Sequence, residues 1–154
     1  MKLCLPPDQI TKLISALRKA RSREIGGQMF GQQLGPLEFR ATELTVQARP
    51  GTLTRFVVDL IQSARDALRF FDRTGHRYKE FNYLGEWHSH PSFHVQPSSV
   101  DVATMRDLVL DPAFRGSFAM LMIVKLDGQD LRVGGWLFDT RAYEGAVDIH
   151  IEHE

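Results

Sequence analysis

The apolar positions of the chain follow two different periods, which predict helices interleaved with strands. Apolar residues three and four positions apart share one face of a helix, and this spacing predicts a helix at about residues 7–21. It also predicts a second helix from about residue 61 that ends before Gly75. A third predicted helix begins at Ser98 and stops near Pro112.

Short apolar runs between these helices predict the strands. The runs are 2–5 as an edge strand, a glycine-rich segment at 24–31, then 37–49, 53–58, 81–90, 118–126, 131–138 and 146–151. Asp-Gly-Gln at 127–129 joins two of them as a hairpin. Helices interleaved with strands predict an α+β fold, a three-layer α/β/α arrangement with a mixed sheet flanked by helices. The length of 154 residues is typical of one domain, here 1–154.

Composition limits the classes of function and partner. Lys and Arg number 19, Asp and Glu also number 19, so the balanced charge gives no electrostatic reason to expect nucleic acid or a membrane surface as a partner. The single cysteine, Cys4, excludes an intramolecular disulfide and is expected to be a small buried hydrophobe. Without a membrane-spanning run or a signal peptide in the sequence, we expect a cytoplasmic protein.

The segment that carries chemistry runs from Glu86 to Asp101. Side chains alternate on a strand, so His88 and His90 point the same way and are able to share one metal ion. Ser98 has the sequence context of a helix N-cap, and Asp101 follows it in the first turn, where the helix dipole favours a carboxylate. Two histidines and one carboxylate leave a fourth position for water, as in a catalytic zinc site.

Such a site needs a carboxylate to accept the proton of the attacking water. Glu24 and Glu86 are the two candidates, and spacing alone leaves the choice between them open. Glu86 is in phase with the two histidines and is also expected as a structural group behind them. His94 is expected to be an exposed residue of the loop that follows. Trp87 alternates with the histidines and is expected in the core, as are Trp136 and the phenylalanines.

These residues together resemble the signature of the JAMM, or MPN-plus, metalloproteases. The matching pattern is Glu24-x-x-Gly27, His88-x-His90-Pro91, then Ser98-x-x-Asp101. The resemblance implies one zinc ion per chain held by His88, His90 and Asp101, with Glu24 as general acid and base and Ser98 as donor to the oxyanion. It also implies that Gly27 and Gly31 let the Glu24 strand pack close to the metal strand, and a fold similar to that of the cytidine deaminases.

The family resemblance further implies hydrolysis of the amide bond after the C-terminal glycine of a ubiquitin-like modifier. The chain is similar to compact prokaryotic members, the deconjugating peptidases of bacterial antiphage systems, whose partners are the modifier tail, its target and E1- and E2-like proteins. Processing of a sulfur-carrier protein in cysteine or cofactor biosynthesis is an alternative. A metal-free MPN-type scaffold is an alternative of another class, since many relatives of this fold have lost the metal. A nucleotide deaminase is disfavoured because its zinc ligands are histidine and cysteines in a helix-borne arrangement, which Cys4 alone cannot provide.

Overall fold

The computed structural model describes residues 1–47 and 60–152. This part of the chain contains three helices, α1 (Pro7–Ala20), α2 (Leu60–Arg73) and α3 (Ser99–Leu110). It also contains eight strands, β1 (Lys2–Leu5), β2 (Gly26–Gly35), β3 (Glu38–Leu44), β4 (Phe81–Ser89), β5 (Phe118–Asp127), β6 (Asp130–Asp139), β7 (Glu144–Ala146) and β8 (Asp148–Ile151). The strand predicted at 53–58 lies outside the described residues.

The eight strands form one mixed sheet in the order β7-β6-β5-β4-β2-β3-β1-β8. Its two edge strands, β7 and β8, are consecutive in the chain and only Val147 separates them. Strands at opposite edges of a flat sheet of this width would be tens of ångströms apart at about 4.8 Å per strand. The sheet is therefore curled so that its two edges come together. At this place Val147, between β7 and β8, donates its N–H to the carbonyl of Gly135 on β6 at 2.9 Å.

The curled sheet has a core on each face. The larger core lies under α1, which contributes Leu13 and Leu17 and packs on β3 and β5. The second core lies under α3, where Met105 and Val109 contact alternate residues of β5. Helix α2 packs on β2 and β4, with Phe70 stacked on Phe30.

A bulge in β4 determines which of its residues face α3. The β2–β4 ladder shifts register next to Gly85. Gly85 has a φ of 146°, and a Cβ added there would lie 1.9 Å from the Met120 carbonyl oxygen, so this position requires glycine. Leu84 and Trp87 consequently belong to the α1 core, whereas Tyr83 packs in the α3 core.

The predicted fold class and all three helices are confirmed, and the 127–129 hairpin forms as expected between β5 and β6. The prediction of β1 as an edge strand is wrong, because β1 pairs with β3 on one side and with β8 on the other. Strand β7 was not predicted, since three residues are too short for a periodic signal.

Core predictions hold for most of the residues concerned. Cys4 and Trp87 are buried, and Trp136 is half-buried against the α3 core. Phe93 is an exception: its side chain is 59% exposed, beside the histidine pair. Within the described residues, every helix is too short or too polar to cross a bilayer.

Candidate metal centre

Strand β4 presents two imidazoles on one side because its residues alternate. The C-terminal end of β4 is held on both sides, because His88 pairs with Gly26 of antiparallel β2 and with Ile123 of parallel β5. The His90 N–H extends the second ladder by donating to the Val124 carbonyl at 3.0 Å. Both histidine side chains are about nine-tenths buried, so their positions are set by the sheet.

The loop after β4 returns over the sheet and fixes the ring of His90. Nδ1 of His90 lies 3.0 Å from the carbonyl oxygen of His94. A carbonyl only accepts, so Nδ1 carries the proton and Nε2 presents its lone pair in the neutral ring. The loop lies against β6, where a Cβ on Gly134 would come within 2.4 Å of the Val95 carbonyl oxygen.

Helix α3 begins at the site with a capping box. The Asp101 N–H donates to Oγ of Ser98 at 3.2 Å, and the Ser98 N–H donates to Oδ2 of Asp101 at 2.7 Å. This reciprocal pair holds the Asp101 side chain back over the helix N-terminus, towards the two imidazoles. The predicted N-cap role of Ser98 is confirmed.

The three side chains converge with the spacing of a chelate. The two Nε2 atoms are 3.1 Å apart, while Oδ1 of Asp101 is 3.3 Å from Nε2 of His88 and Oδ2 is 3.6 Å from Nε2 of His90. Tetrahedral zinc with bonds of 2.0–2.2 Å separates its N and O ligands by about 3.3 Å. Two nitrogen lone pairs and a carboxylate at these distances suit a borderline-soft divalent cation. The residues therefore fit zinc.

The electrostatics of the cluster favour a charged carboxylate. Burial opposes ionisation of Asp101, but hydrogen bonds with His88 and His90 outweigh it and hold the pKa of Asp101 well below its usual range. The hydrogen bond with Asp101 raises the pKa of His90 above its ordinary value, against the opposing effect of burial. Asp101 thus attracts positive charge to the point between the rings.

The two candidate proton acceptors lie at different places. Glu24 directly precedes Ile25, whose N–H donates to the Ser89 hydroxyl at the end of β4. The Glu24 residue is 6% exposed, and its charge contributes to the raised pKa of His90. Glu86 lies two residues before His88 on the same face of β4 and contacts Tyr83. Burial raises the pKa of the Glu86 carboxyl, in opposition to His88 and to the hydrogen bond with Tyr83.

The glycines near the site differ in role from those expected. An added Cβ on Gly26 would meet the Trp87 carbonyl oxygen at 2.3 Å, so Gly26 is the residue that brings β2 close to the metal strand beside His88. Gly27 instead faces β3, where the Thr45 carbonyl oxygen would lie at 2.1 Å. Gly31 approaches both the β3 backbone and the Leu84 side chain.

Sequence reasoning missed three contributors to the site: Gly26, the His94 carbonyl and Ser89. The Ser89 hydroxyl accepts the Ile25 N–H at 3.0 Å. A serine that alternates away from the metal gives no sequence signal of such a bond. A backbone carbonyl gives none either, because every residue has one. Gly26 had a weak signal, since it stands beside Gly27 in a strand-like run.

Comparison with known proteins identifies a family model that covers most of the chain. The family model described as prokaryotic homologs of the JAB domain matches residues 6–134. The solution structure of protein DSY2949 from Desulfitobacterium hafniense superposes with a TM-score of 0.71 at 19% identity, over 99% of this chain and 94% of that chain. At that identity the likeness shows the fold alone.

A second structure, AF2198 from Archaeoglobus fulgidus, is described as a JAB1/MPN domain protein. It matches 96% of this chain and 97% of that chain at 15% identity with a TM-score of 0.49, which is too low to support an argument. No curated protein sequence matches the chain significantly.

Proposed function

Because this chain belongs to the prokaryotic homologs of the JAB domain, we propose that it is a zinc-dependent isopeptidase or peptidase. Its substrate is the amide bond after the C-terminal glycine of a ubiquitin-like modifier, in a conjugate or in a precursor. The observation that carries the proposal is the convergence of His88, His90 and Asp101 at the separations of a tetrahedral zinc site.

The ligand set supports hydrolysis over a structural metal site. Three ligands leave a coordination position for water or substrate, whereas structural zinc sites are closed by four protein ligands. His88, His90 and Asp101 would hold the zinc ion, which would supply Lewis acidity to polarise the scissile carbonyl and lower the pKa of water towards about 7. Ser98, Phe93 and His94 around the cluster are exposed, which gives an extended peptide access from solvent.

Three side chains perform the remaining chemistry. Glu24 takes the proton of the attacking water and delivers it to the leaving amine. Ser98 Oγ accepts the Asp101 N–H, so its own hydroxyl proton is available to the developing oxyanion. The Nδ1–H of His90 donates to the His94 carbonyl, so the lone pair of Nε2 is the one left to bind a metal.

Glu24 is preferred to Glu86 as the acceptor. The shared face of β4 places Glu86 two residues before His88, where its carboxyl hydrogen-bonds with Tyr83. That bond directs Glu86 towards Tyr83 and away from the loop end of β4. Glu24 lies at the loop end of β4, where Ile25 pairs with Ser89, and is close enough to His90 to act on it electrostatically.

The test uses a ubiquitin-like modifier with a Gly-Gly terminus fused through an amide bond to a reporter. The wild-type protein is expected to bind one zinc per chain and to release the reporter. Glu24→Gln should retain zinc and fold but lose about 10²–10⁴-fold in turnover. Glu86→Gln is the matched control, because Glu86 is a second buried carboxyl group near a histidine of the cluster. This variant should keep most of the activity.

Each outcome has a clear meaning. Absence of zinc from protein purified under metal-replete conditions would support the scaffold alternative. Zinc without cleavage of any modifier fusion would contradict the peptidase proposal. Full turnover in Glu24→Gln together with a loss in Glu86→Gln would move the general base to Glu86.

The proposal extends to a place in bacterial antiphage defence, supported by the resemblance to compact deconjugating peptidases. Its partners are then the modifier tail, the conjugated target and E1- and E2-like proteins, in the cytoplasm. Genes for those proteins beside this one, and loss of phage resistance in the Glu24→Gln strain, are the expected results. An adjacent sulfur-carrier gene and an unchanged phage titre would favour the biosynthetic alternative.

A further inference from the structure

The junction between β2 and β4 has an unusual closing bond. The Ser89 N–H donates to the Ile25 carbonyl at 2.8 Å, as one half of an antiparallel pair. In a regular pair the Ile25 N–H would return to the Ser89 carbonyl. Here it donates to the Ser89 hydroxyl at 3.0 Å instead. Ser89 is 0% and Ile25 is 5% exposed, so water does not compete for this bond.

This bond acts on the peptide that carries Glu24. The Ile25 nitrogen belongs to the peptide unit shared by Glu24 and Ile25, so fixing it fixes that peptide plane and the backbone torsion next to the Glu24 side chain. On the N-terminal side, residues 21–23 are exposed and form the irregular end of α1. The side chain of Ser89 thus ties Glu24 to the strand that bears the metal ligands.

Ser89 has no other evident contribution to the metal cluster. It alternates away from His88 and His90, which face the cluster on the opposite side of β4. Its side chain therefore serves the neighbouring strand, and the residue it reaches is the one directly after the proposed proton acceptor.

We propose that Ser89 is a positioning residue for Glu24, in that its buried hydroxyl accepts the Ile25 N–H and so holds the Glu24 carboxylate at the distance proton transfer needs. This rests on the proposed hydrolytic function. A displacement of about 1 Å in a catalytic group can cost on the order of 100-fold in rate, so the bond matters for turnover more than for substrate binding.

A second buried hydroxyl, that of Thr45 directly after β3, also accepts a backbone N–H from the strand that follows Glu24 and supplies a matched control. Oγ1 of Thr45 accepts the Gln28 N–H at 2.8 Å, and Thr45 is 6% exposed. Thr45→Val removes a buried hydroxyl that holds β2, as Ser89→Ala does, but three peptides beyond Ile25. A purely structural role predicts similar losses in the two variants.

The experiment compares Ser89→Ala, Ser89→Thr and Thr45→Val as zinc-loaded proteins on the modifier–reporter fusion. Ser89→Ala should bind one zinc with wild-type affinity and lose about 10- to 100-fold in kcat at nearly unchanged KM. Ser89→Thr retains a hydroxyl and should recover most of the kcat, while Thr45→Val should stay within about twofold of wild type. An unchanged kcat in Ser89→Ala, or an equal loss in Thr45→Val, overturns the proposal.

A readout independent of activity separates this proposal from the hydrolytic function. Hydrogen exchange of the Ile25 amide, measured by NMR on the zinc-loaded protein, should accelerate in Ser89→Ala and return to the wild-type rate in Ser89→Thr. Crystal structures of the same proteins should show the Glu24 carboxylate displaced in Ser89→Ala alone. If the wild type cleaves no substrate, the hydrolytic function fails, and an undisplaced Glu24 then overturns the positioning role as well.

Ser89→Cys keeps the experiment decisive if Ser89→Ala does not fold. The thiol is a weaker and longer-range acceptor than the hydroxyl, so Ile25 exchange and kcat should both fall between those of Ser89→Thr and a complete loss. Wild-type kcat combined with accelerated Ile25 exchange in this variant would show that the bond does not position Glu24.

Discussion

Asp101 is a proposed metal ligand and also a member of the capping box of α3, and two substitutions separate these roles. Asp101→Asn keeps a side-chain oxygen that can accept the Ser98 N–H, which now donates to Oδ2 at 2.7 Å. It removes the negative charge that stands 3.3 and 3.6 Å from the two Nε2 atoms. Asp101→Ala removes both the charge and the acceptor. The first variant therefore tests the metal, and the second adds the loss of the bond from the Ser98 N–H.

The size of the effect follows from linkage between zinc binding and folding. Altering a group behind a ligand costs 10- to 100-fold in metal affinity, so losing the ligand charge should cost at least about 100-fold. Where free zinc stands at 1,000 times the wild-type Kd, zinc stabilises the wild type by about 4.1 kcal/mol, and a 100-fold loss lowers this by about 2.7 kcal/mol. At about 2–4 °C per kcal/mol for a chain of this size, the zinc-induced rise in Tm should shrink by about 5–11 °C.

The assay is thermal unfolding in excess zinc and in EDTA, because the difference between the two cancels metal-free effects of the substitution. In EDTA, Asp101→Ala should be about 1 kcal/mol less stable than Asp101→Asn, since only alanine removes the acceptor of the Ser98 N–H and so half of the capping box. Asp111→Asn, at the other end of α3, where Oδ1 accepts the Ala113 N–H, is the control and should keep the full zinc-induced rise. A wild-type zinc shift in Asp101→Asn would refute the ligand assignment and leave Asp101 as a cap alone.

Three further substitutions test the site and its support. Ser98→Ala should cost about 1 kcal/mol in urea unfolding through the lost cap, and about 10²–10³-fold in kcat through the oxyanion; unchanged kcat in the folded variant would remove the oxyanion role. Trp87→Phe should lose about 1–3 kcal/mol in urea unfolding, because the Thr45 carbonyl loses the buried indole N–H at 2.8 Å, and wild-type stability would show that this bond contributes little. Gly26→Ala should lower the free energy of unfolding by about 1–3 kcal/mol, because the added Cβ overpacks against the Trp87 carbonyl. Thermal unfolding in EDTA measures this loss, and a neutral effect would mean that β2 and β4 can separate without cost.

The sequence predicted those parts of the site that depend on local periodicity. Alternation on β4 is enough to place His88 and His90 on one face, and Ser98-x-x-Asp101 is enough to start a helix with an acid in its first turn. Helix α2 shows the limit of such patterns. Leu68 lies at the helical spacing of four and three residues from Ala64 and Phe71, yet it is 63% exposed, while Phe70 is buried against Phe30. A short amphipathic pattern fixes a helix but not the face that packs.

What the sequence did not predict depends on contacts between distant segments. The edge assignment of β1 failed because its partner β8 lies at the other end of the chain. The distinction between Gly26 and Gly27 depends on which neighbouring strand each approaches, and that depends on the strand order β4-β2-β3. The bond from Ile25 to Ser89 spans 64 residues and uses a hydroxyl whose direction no periodicity gives.

The connection from His90 to Asp101 is held at both ends by side chains of the candidate metal centre. That loop is fixed at its start by the bond from His90 to the His94 carbonyl, and at its end by the bond from the Ser98 N–H to Asp101. Both bonds use side chains of the proposed metal ligands, so the same residues that would bind zinc also set the path of the chain between them. Zinc binding should therefore order the loop and the first turn of α3 together, and removal of zinc should increase amide exchange in both without affecting β5.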